Sequence, residues 1–331
     1  MTAFAITVII PTTCRSERAE LLRGAIASAI CAAPGEVEVL VAINGPHVDE
    51  RLAAELRRRS ELRVVRFVEG SLPIAMRLAM ENVESEFFGF LDDDDELLEN
   101  GMTKRLEALR GDPKAELVLS NGYRHCAGRD EPYLARLGEV SRDPLRALFV
   151  ENWLPSCGAL FRRSRIEPAM FDDFHPHAEW SWLAFRHPGK RIVTLNEATF
   201  RVRVGTPGSL SKSRGYRLSY VSLYERMLAI NPPADVRATL RRRLSQAHHD
   251  VSEQWLKEGA MWNSVLHHAK SLAVPYGWRF IGYSRHMLRA LWKQPWVIPV
   301  KLRPSLAAIA VALCCTPPHL NGLGFVPISS P

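Results

Sequence analysis

Short β-branched and aromatic runs alternate with amphipathic stretches along the first hundred residues. Residues 6–11, ITVIIP, form an apolar run closed by proline, which predicts a buried strand entering a loop. After Ser16, which reads as an N-cap, Leu21, Leu22, Ala25, Ile26, Ala29 and Ile30 fall on one helical face. Residues 37–43, VEVLVAI, predict a second strand ended by Asn44, Gly45 and Pro46. A polar helix over 49–60, a strand over 62–68 and a helix over 73–83 follow. The run FFGFL at 87–91 then reads as a buried strand leading directly into Asp92, Asp93, Asp94 and Asp95. This alternation predicts an α/β fold, a mostly parallel sheet sandwiched by helices. Ligands of such sheets bind outside the carboxyl ends of the strands. Residues 11–15, 44–46 and 92–95 are three such ends, expected along one edge.

Beyond residue 116 the pattern changes. ELVLSNGY predicts a further strand, a polar loop holds Gly128, Pro132 and Gly138, and short strands at 158–162 and 191–195 flank a helix near 178–186. From about 215 the chain reads as helical, with helices over 236–258 and 260–294 and a boundary region at 215–235, where Asn231, Pro232 and Pro233 interrupt it. The expected division is a sheet domain over 1–215 and a helical extension over 216–331.

Charge sharpens that division. The net charge is +7, and no Asp or Glu follows Glu258, whereas Lys270, Arg279, Arg285, Arg289, Lys293, Lys301 and Arg303 do. An acid-free tail points to an anionic partner. Trp278, Trp292 and Trp296 interleave with these cations, a composition suited to an anionic membrane surface. The apolar run at 306–315 is too short to span a bilayer. Nucleic acid ranks lower, because no nucleic-acid motif occurs. Plain packing of a basic helical hairpin on the rest of the chain is the other reading. Cys14, Cys31, Cys126, Cys157, Cys314 and Cys315 form no CxxC pair or regular framework, and the N-terminus has no basic region before its apolar run. Both suggest reduced thiols and a cytoplasmic setting.

Four adjacent carboxylates repel one another and raise each other's pKa values. A divalent cation removes the conflict, and oxygen-only ligands suit Mg²⁺ or Mn²⁺. Alternatively, Asp95 N-caps a helix over 96–110, with the other acids favouring its positive end. An EF-hand fails, because the sixth position from Asp92 is Leu97 and the twelfth is Thr103. No P-loop, GxGxxG or HExxH sequence is present.

The order of these motifs resembles the family 2 glycosyltransferases of the GT-A fold. The resemblance covers roughly residues 5–211. It rests on Pro11-Thr12-Thr13-Cys14-Arg15, Ser28, Asn44-Gly45-Pro46, Arg77 within the divergent stretch 75–79, Phe90-Leu91-Asp92-Asp93-Asp94-Asp95, Ala178-Glu179-Trp180 and the closing stretch 201–211. It implies a Rossmann-like GT-A domain with a donor half at about 1–110 and an acceptor half at about 111–215. It also implies a nucleotide-sugar donor, UDP-linked, and transfer with inversion. By resemblance, Pro11, Thr12, Arg15, Asn44, Arg77, Asp92 and Asp93 serve the donor. Asp92 contacts its ribose or sugar, and Asp94 holds Mn²⁺ or Mg²⁺ on the diphosphate. Glu179 takes the proton from the acceptor hydroxyl; otherwise it is a surface acid paired with Arg186. Asn44 is equally a turn residue, and Ile43 stands where the family often has an acid reading the base. Trp153 and Trp180 are candidates to stack on acceptor sugars or to join the core; Trp182 reads as core. The implied acceptor is a glycan or lipid-linked molecule in cell-surface polysaccharide synthesis, at the inner face of the membrane. Two other readings stay open: an inactive GT-A-like binding or scaffold protein, favoured by Ile43 and the divergent 75–79 stretch, and a nucleotidyltransferase of similar architecture.

Overall fold

The computed structural model describes residues 4–166, 179–186, 191–206, 208–209 and 213–292. The first half follows the predicted alternation: β1 (Ile6–Thr12), α1 (Ala19–Cys31), β2 (Val37–Asn44), α2 (Glu50–Arg58), β3 (Leu62–Phe67), α3 (Leu72–Met80) and β4 (Phe87–Phe90). Strands β1 to β4 run parallel in the order β3-β2-β1-β4. The chain winds outward from β1 to β3 and returns to the other side of β1 at β4. The order therefore reverses beside β1, and the carboxyl ends of β1 and β4 open onto the resulting crevice.

These strands read as unbroken apolar runs because both faces are covered. Ile9, Leu40, Ala42, Phe88 and Phe90 point into one core; Val8, Ile10, Val39, Val41 and Phe87 point into the other. Ser16 does not cap α1. It opens a single 3₁₀ turn, Ser16–Arg18, and the helix begins only at Ala19.

The remaining elements of the first unit are β5 (Glu96–Leu97), α4 (Gly101–Gly111), β6 (Leu117–Cys126), β7 (Arg129–Pro132), α5 (Leu137–Val140), α6 (Pro144–Val150), β8 (Ala159–Arg162), α7 (Glu179–Phe185), β9 (Ile192–Arg203) and α8 (Arg214–Ala229). They extend the sheet as β4-β8-β6-β9-β5, with mixed strand directions. The expected polar loop around Gly128 is a hairpin instead. Ala127 and Gly128 both have positive φ, 49° and 78°, as a tight two-residue turn between β6 and β7 requires. The expected short strand at 191–195 runs on to Arg203, through register shifts against β6 between Ser120 and Tyr123. Gly122 makes that crossing possible: a Cβ there would lie 2.5 Å from the Phe200 ring.

The chain divides into two compact units, Met1–Leu240 and Arg241–Pro331. Leu223 and Met227 of α8, with Val236 and Leu240, belong to the first unit's core. α9 (Ala234–Lys257) runs across the boundary, followed by α10 (Met261–Ala273) and α11 (Tyr283–Trp292). The helix expected over 260–294 is broken, since Tyr276 adopts φ 74° and a 3₁₀ turn spans Gly277–Phe280. Serines hold α9 close to α10: the Ser252 hydroxyl donates to the Ser264 carbonyl at 2.8 Å and the Ser264 hydroxyl to the Ser252 carbonyl at 2.7 Å. No described helix is long and apolar enough to cross a membrane. Lys293, Trp296, Lys301, Arg303 and the run 306–315 lie outside the described residues.

Candidate active site

The crevice between β1 and β4 is built by backbone direction first. In register, Thr12 of β1 lies beside Ile43 of β2, and Ile9 lies beside Phe90 of β4. The three strand ends marked in the sequence therefore emerge together. The Asn44 amide donates to the Thr12 carbonyl at 3.1 Å, and the Thr12 hydroxyl donates to Asp93 at 2.6 Å. Asn44 thus ties β2 to β1 as well as standing at the edge. Ile43 is fully buried in a core. The turn after Thr12 holds Cys14 at φ 49°, and burial, then the nearby Asp49 charge, push its thiol up to about 11. Cys14 is a packing residue rather than a nucleophile.

The four acids alternate. Asp93 and Asp95 are buried, whereas Asp92 and Asp94 retain some exposure. Asp92 accepts from the Ser156 hydroxyl at 2.7 Å. Burial pushes its carboxyl up to about 6; Asp94 and Asp93 add to the shift, and Ser156 and Arg18 oppose it. Asp95 accepts from the Arg203 backbone N–H at 2.9 Å, and its other oxygen lies 3.9 Å from the Cys157 sulfur. Burial, with the Asp92 and Asp94 charges, holds Asp95 well above the usual carboxylate range. Asp95 does not cap a helix: α4 starts at Gly101, and β5 intervenes. The Thr206 hydroxyl donates to Asp94.

The cation at the cluster is Arg18, which the sequence reading missed. Its guanidinium donates to Asp93 through Nε at 3.2 Å and also through Nη2, and Nη2 lies 3.3 Å from Asp94. Burial opposes its charge, but the Asp93 hydrogen bond and the Asp93 and Asp94 charges outweigh burial and hold it protonated. The expected Arg15 is exposed beside Glu17, at 3.8 Å. Arg77 on α3 pairs with Glu81 at 2.8 Å. A second missed cation, the fully buried Arg105, lies behind the site, donating to the Ser120 and Thr199 hydroxyls and to the Cys157 carbonyl.

Trp153 is not an acceptor platform. It is 1% exposed, its indole N–H donates to the Pro144 carbonyl at 2.8 Å, and its ring sits in the core. Trp182 is core, as expected. Trp180 is half-buried and meets Phe90 edge-on, with centroids 5.2 Å apart. That contact ties the start of α7 to the strand that delivers Asp92. Glu179 opens α7, but its side chain, like Ala178, lies outside the described residues.

The acceptors suit a hard cation, because the acids and the Thr12, Ser156 and Thr206 hydroxyls offer oxygen, although the Arg18 guanidinium already stands among them. Among the described residues no group of three or more His, Cys, Asp or Glu could hold a metal by itself. One carboxylate, with substrate phosphate and water completing the shell, is how Mg²⁺ is commonly bound.

Residues 7–167 match the family model "Glycosyl transferase family 2". No curated protein sequence matches the chain. Among solved structures, S. aureus TarS 1-349 in complex with UDP-GlcNAc aligns with TM-score 0.56 at 15% identity, over 82% of this chain and 82% of that one. The same protein in complex with UDP aligns at 0.50 and 17% identity, over 74% and 71%. A longer S. aureus TarS structure aligns at 0.50 and 16% identity, over 75% of this chain and 43% of that one. At such identities the structural likeness speaks for the fold. The family match identifies residues 7–167 as a family 2 glycosyltransferase domain, and the structural likeness gives it a fold of the GT-A type.

Proposed function

We propose that the protein is a metal-dependent, inverting glycosyltransferase that moves a sugar from a UDP-linked donor to a glycan or lipid-linked acceptor in cell-surface polysaccharide synthesis. The observation that carries this reading is the pair of half-buried carboxylates, Asp92 and Asp94, at the reversal point beside β1. The TarS structures with UDP-GlcNAc and UDP support the choice of base.

Pro11, Thr12 and Asn44 form the floor for the nucleotide, Asp92 and Asp93 border the donor, and Asp94 takes Mn²⁺ or Mg²⁺. When bound, the cation neutralises charge developing on the leaving diphosphate. Glu179 accepts the proton of the acceptor hydroxyl as its oxygen attacks the anomeric carbon, and the bond to the nucleoside diphosphate breaks with its electron pair leaving on phosphate oxygen. The Phe90–Trp180 contact supports this role by tying α7 to β4. General bases of this kind contribute roughly 10²–10⁴-fold.

Calorimetry with UDP, with and without Mn²⁺, tests the donor reading. Equal UDP affinity with metal, with chelator and in Asp94→Ala would overturn it. Glu179→Gln should lower turnover by about 10²-fold or more with donor affinity nearly unchanged. Near-normal turnover would move the base elsewhere. Absence of turnover with every nucleotide-sugar, despite tight UDP binding, would favour the inactive binding protein.

The second unit supports a peripheral position on the inner face of the membrane, against an anionic lipid surface. Trp278 is 72% exposed, and Arg279, Arg285 and Arg289 lie on the same acid-free stretch. Each cation near such a surface contributes about 1 kcal/mol at most. Co-sedimentation with anionic and neutral liposomes, at low and high salt, decides the matter: binding indifferent to both would remove the electrostatic part.

A further inference from the structure

The acidic cluster already contains a cation. Arg18 lies between β1 and α1, where the 3₁₀ turn at Ser16–Arg18 carries its side chain back over the strand end. Its guanidinium is 15% exposed, bonds to Asp93 through two nitrogens and lies 3.3 Å from Asp94. Asp93 is fixed from the other side by the Thr12 hydroxyl at 2.6 Å, so the Arg18 anchor is rigid. Thr206, three residues beyond the end of β9, donates its hydroxyl to the Asp94 oxygen that faces Arg18. One oxygen of the carboxylate assigned to the metal, Oδ2, therefore already meets two groups of the chain itself.

We infer that Arg18 is the resident counter-ion of the acidic cluster and excludes divalent metal from Asp94 until a nucleotide diphosphate supplies compensating negative charge. This rests on the reading of Asp94 as the metal residue and adds an order of events: metal enters with the donor and does not precede it. The electrostatics are direct. A guanidinium and a divalent cation beside one carboxylate repel each other. Among the described residues, no cluster of His, Cys, Asp or Glu supplies enough ligands to hold the metal alone. The diphosphate adds both ligand oxygens and negative charge, so Arg18 and the metal can then share the site.

The test is Mn²⁺ binding, read from the electron paramagnetic resonance signal of free Mn²⁺ and by calorimetry, with and without UDP. The full-length wild-type chain should bind Mn²⁺ detectably only with UDP present. Arg18→Gln should bind Mn²⁺ without nucleotide at least tenfold more tightly than wild type does. Arg18→Lys, which keeps the charge, should restore exclusion. Circular dichroism melts confirm folding, and Arg18→Met, which keeps the apolar stem, replaces the Gln variant if that unfolds. A neutral variant that binds Mn²⁺ no better than wild type without UDP, while both bind it with UDP, overturns the inference and leaves the metal reading intact. Failure of every form to bind Mn²⁺, even with UDP, overturns both.

Discussion

The two units bury titratable groups in opposite ways. At the edge of β1 and β4, four acids crowd together and one guanidinium answers them, so the charge is kept and held ready. Between α9 and α10, imidazoles are packed neutral. His248 and His267 meet with their Nδ1 atoms 3.1 Å apart, and His268 bonds the Ser284 hydroxyl at 2.8 Å. Burial, then the His267 and Lys270 charges, push His248 down to about 4; burial, then His249, does the same to His268. His249 is lowered as well, mainly by burial, although Glu253 and Asp250 pull the other way and Arg279 adds to the shift. The proposed handling of phosphate and metal needs charge, and the cost of crowding it appears in the raised Asp92 and Asp95. A helical pair with no such task loses nothing by keeping its histidines uncharged.

The largest expected break in this contrast is functional. Asp94→Asn should lower turnover by about 10²-fold or more, the scale of losing one charge-stabilising group. The ligand-free melting temperature at pH 7 should stay or rise, because a like charge leaves a crowded cluster. A large fall in melting temperature would show that Asp94 is a structural residue.

Acid should separate the units next. The folded-state values of His248 and His268 lie below the unfolded one, so their stabilisation is complete above about pH 6.5 and fades as pH falls toward about 4. Between pH 7.5 and 5 that amounts to on the order of 2–4 kcal/mol for the pair. Asp92 has the opposite sign: its raised value favours the folded state below the ordinary carboxylate range, and this gain is lost as pH rises through about 6. Hydrogen exchange at both pH values should show peptides from 241–292 losing protection first. Equal loss in β1 and β4 would break the contrast.

The smallest effect is local. Thr12→Val removes one hydrogen bond from buried Asp93 and should cost about 1–2 kcal/mol in denaturant unfolding. It should also loosen Arg18, shifting nucleotide-free Mn²⁺ binding in the same direction as Arg18→Gln but less.

Legibility followed range of interaction. Strands β1, β2 and β4 were readable because burial on both faces leaves unbroken apolar runs, and a strand's carboxyl end is fixed once its direction is known. Strand β9 was read short, since Asn196 and Glu197 interrupt its apolar pattern and only pairing with β6 carries it on to Arg203. Trp153 looked equally fit for a sugar platform, and nothing near it in sequence announced that Pro144 would take its indole N–H.

By itself the sequence determined the alternating strands and helices, the acids at the end of β4 and the acid-free character of the tail, because these depend on neighbours a few residues apart. Tertiary structure alone decided which cation answers the acids and what closes over them. Arg18 reaches Asp93 across 75 residues, Arg203 reaches Asp95 across 108 and Thr206 reaches Asp94 across 112. Arg15 and Arg18 stand three positions apart with the same side chain, and a single 3₁₀ turn leaves one beside Glu17 and carries the other into the cluster. A charge finds its partner through backbone direction in space, which no local window of sequence contains.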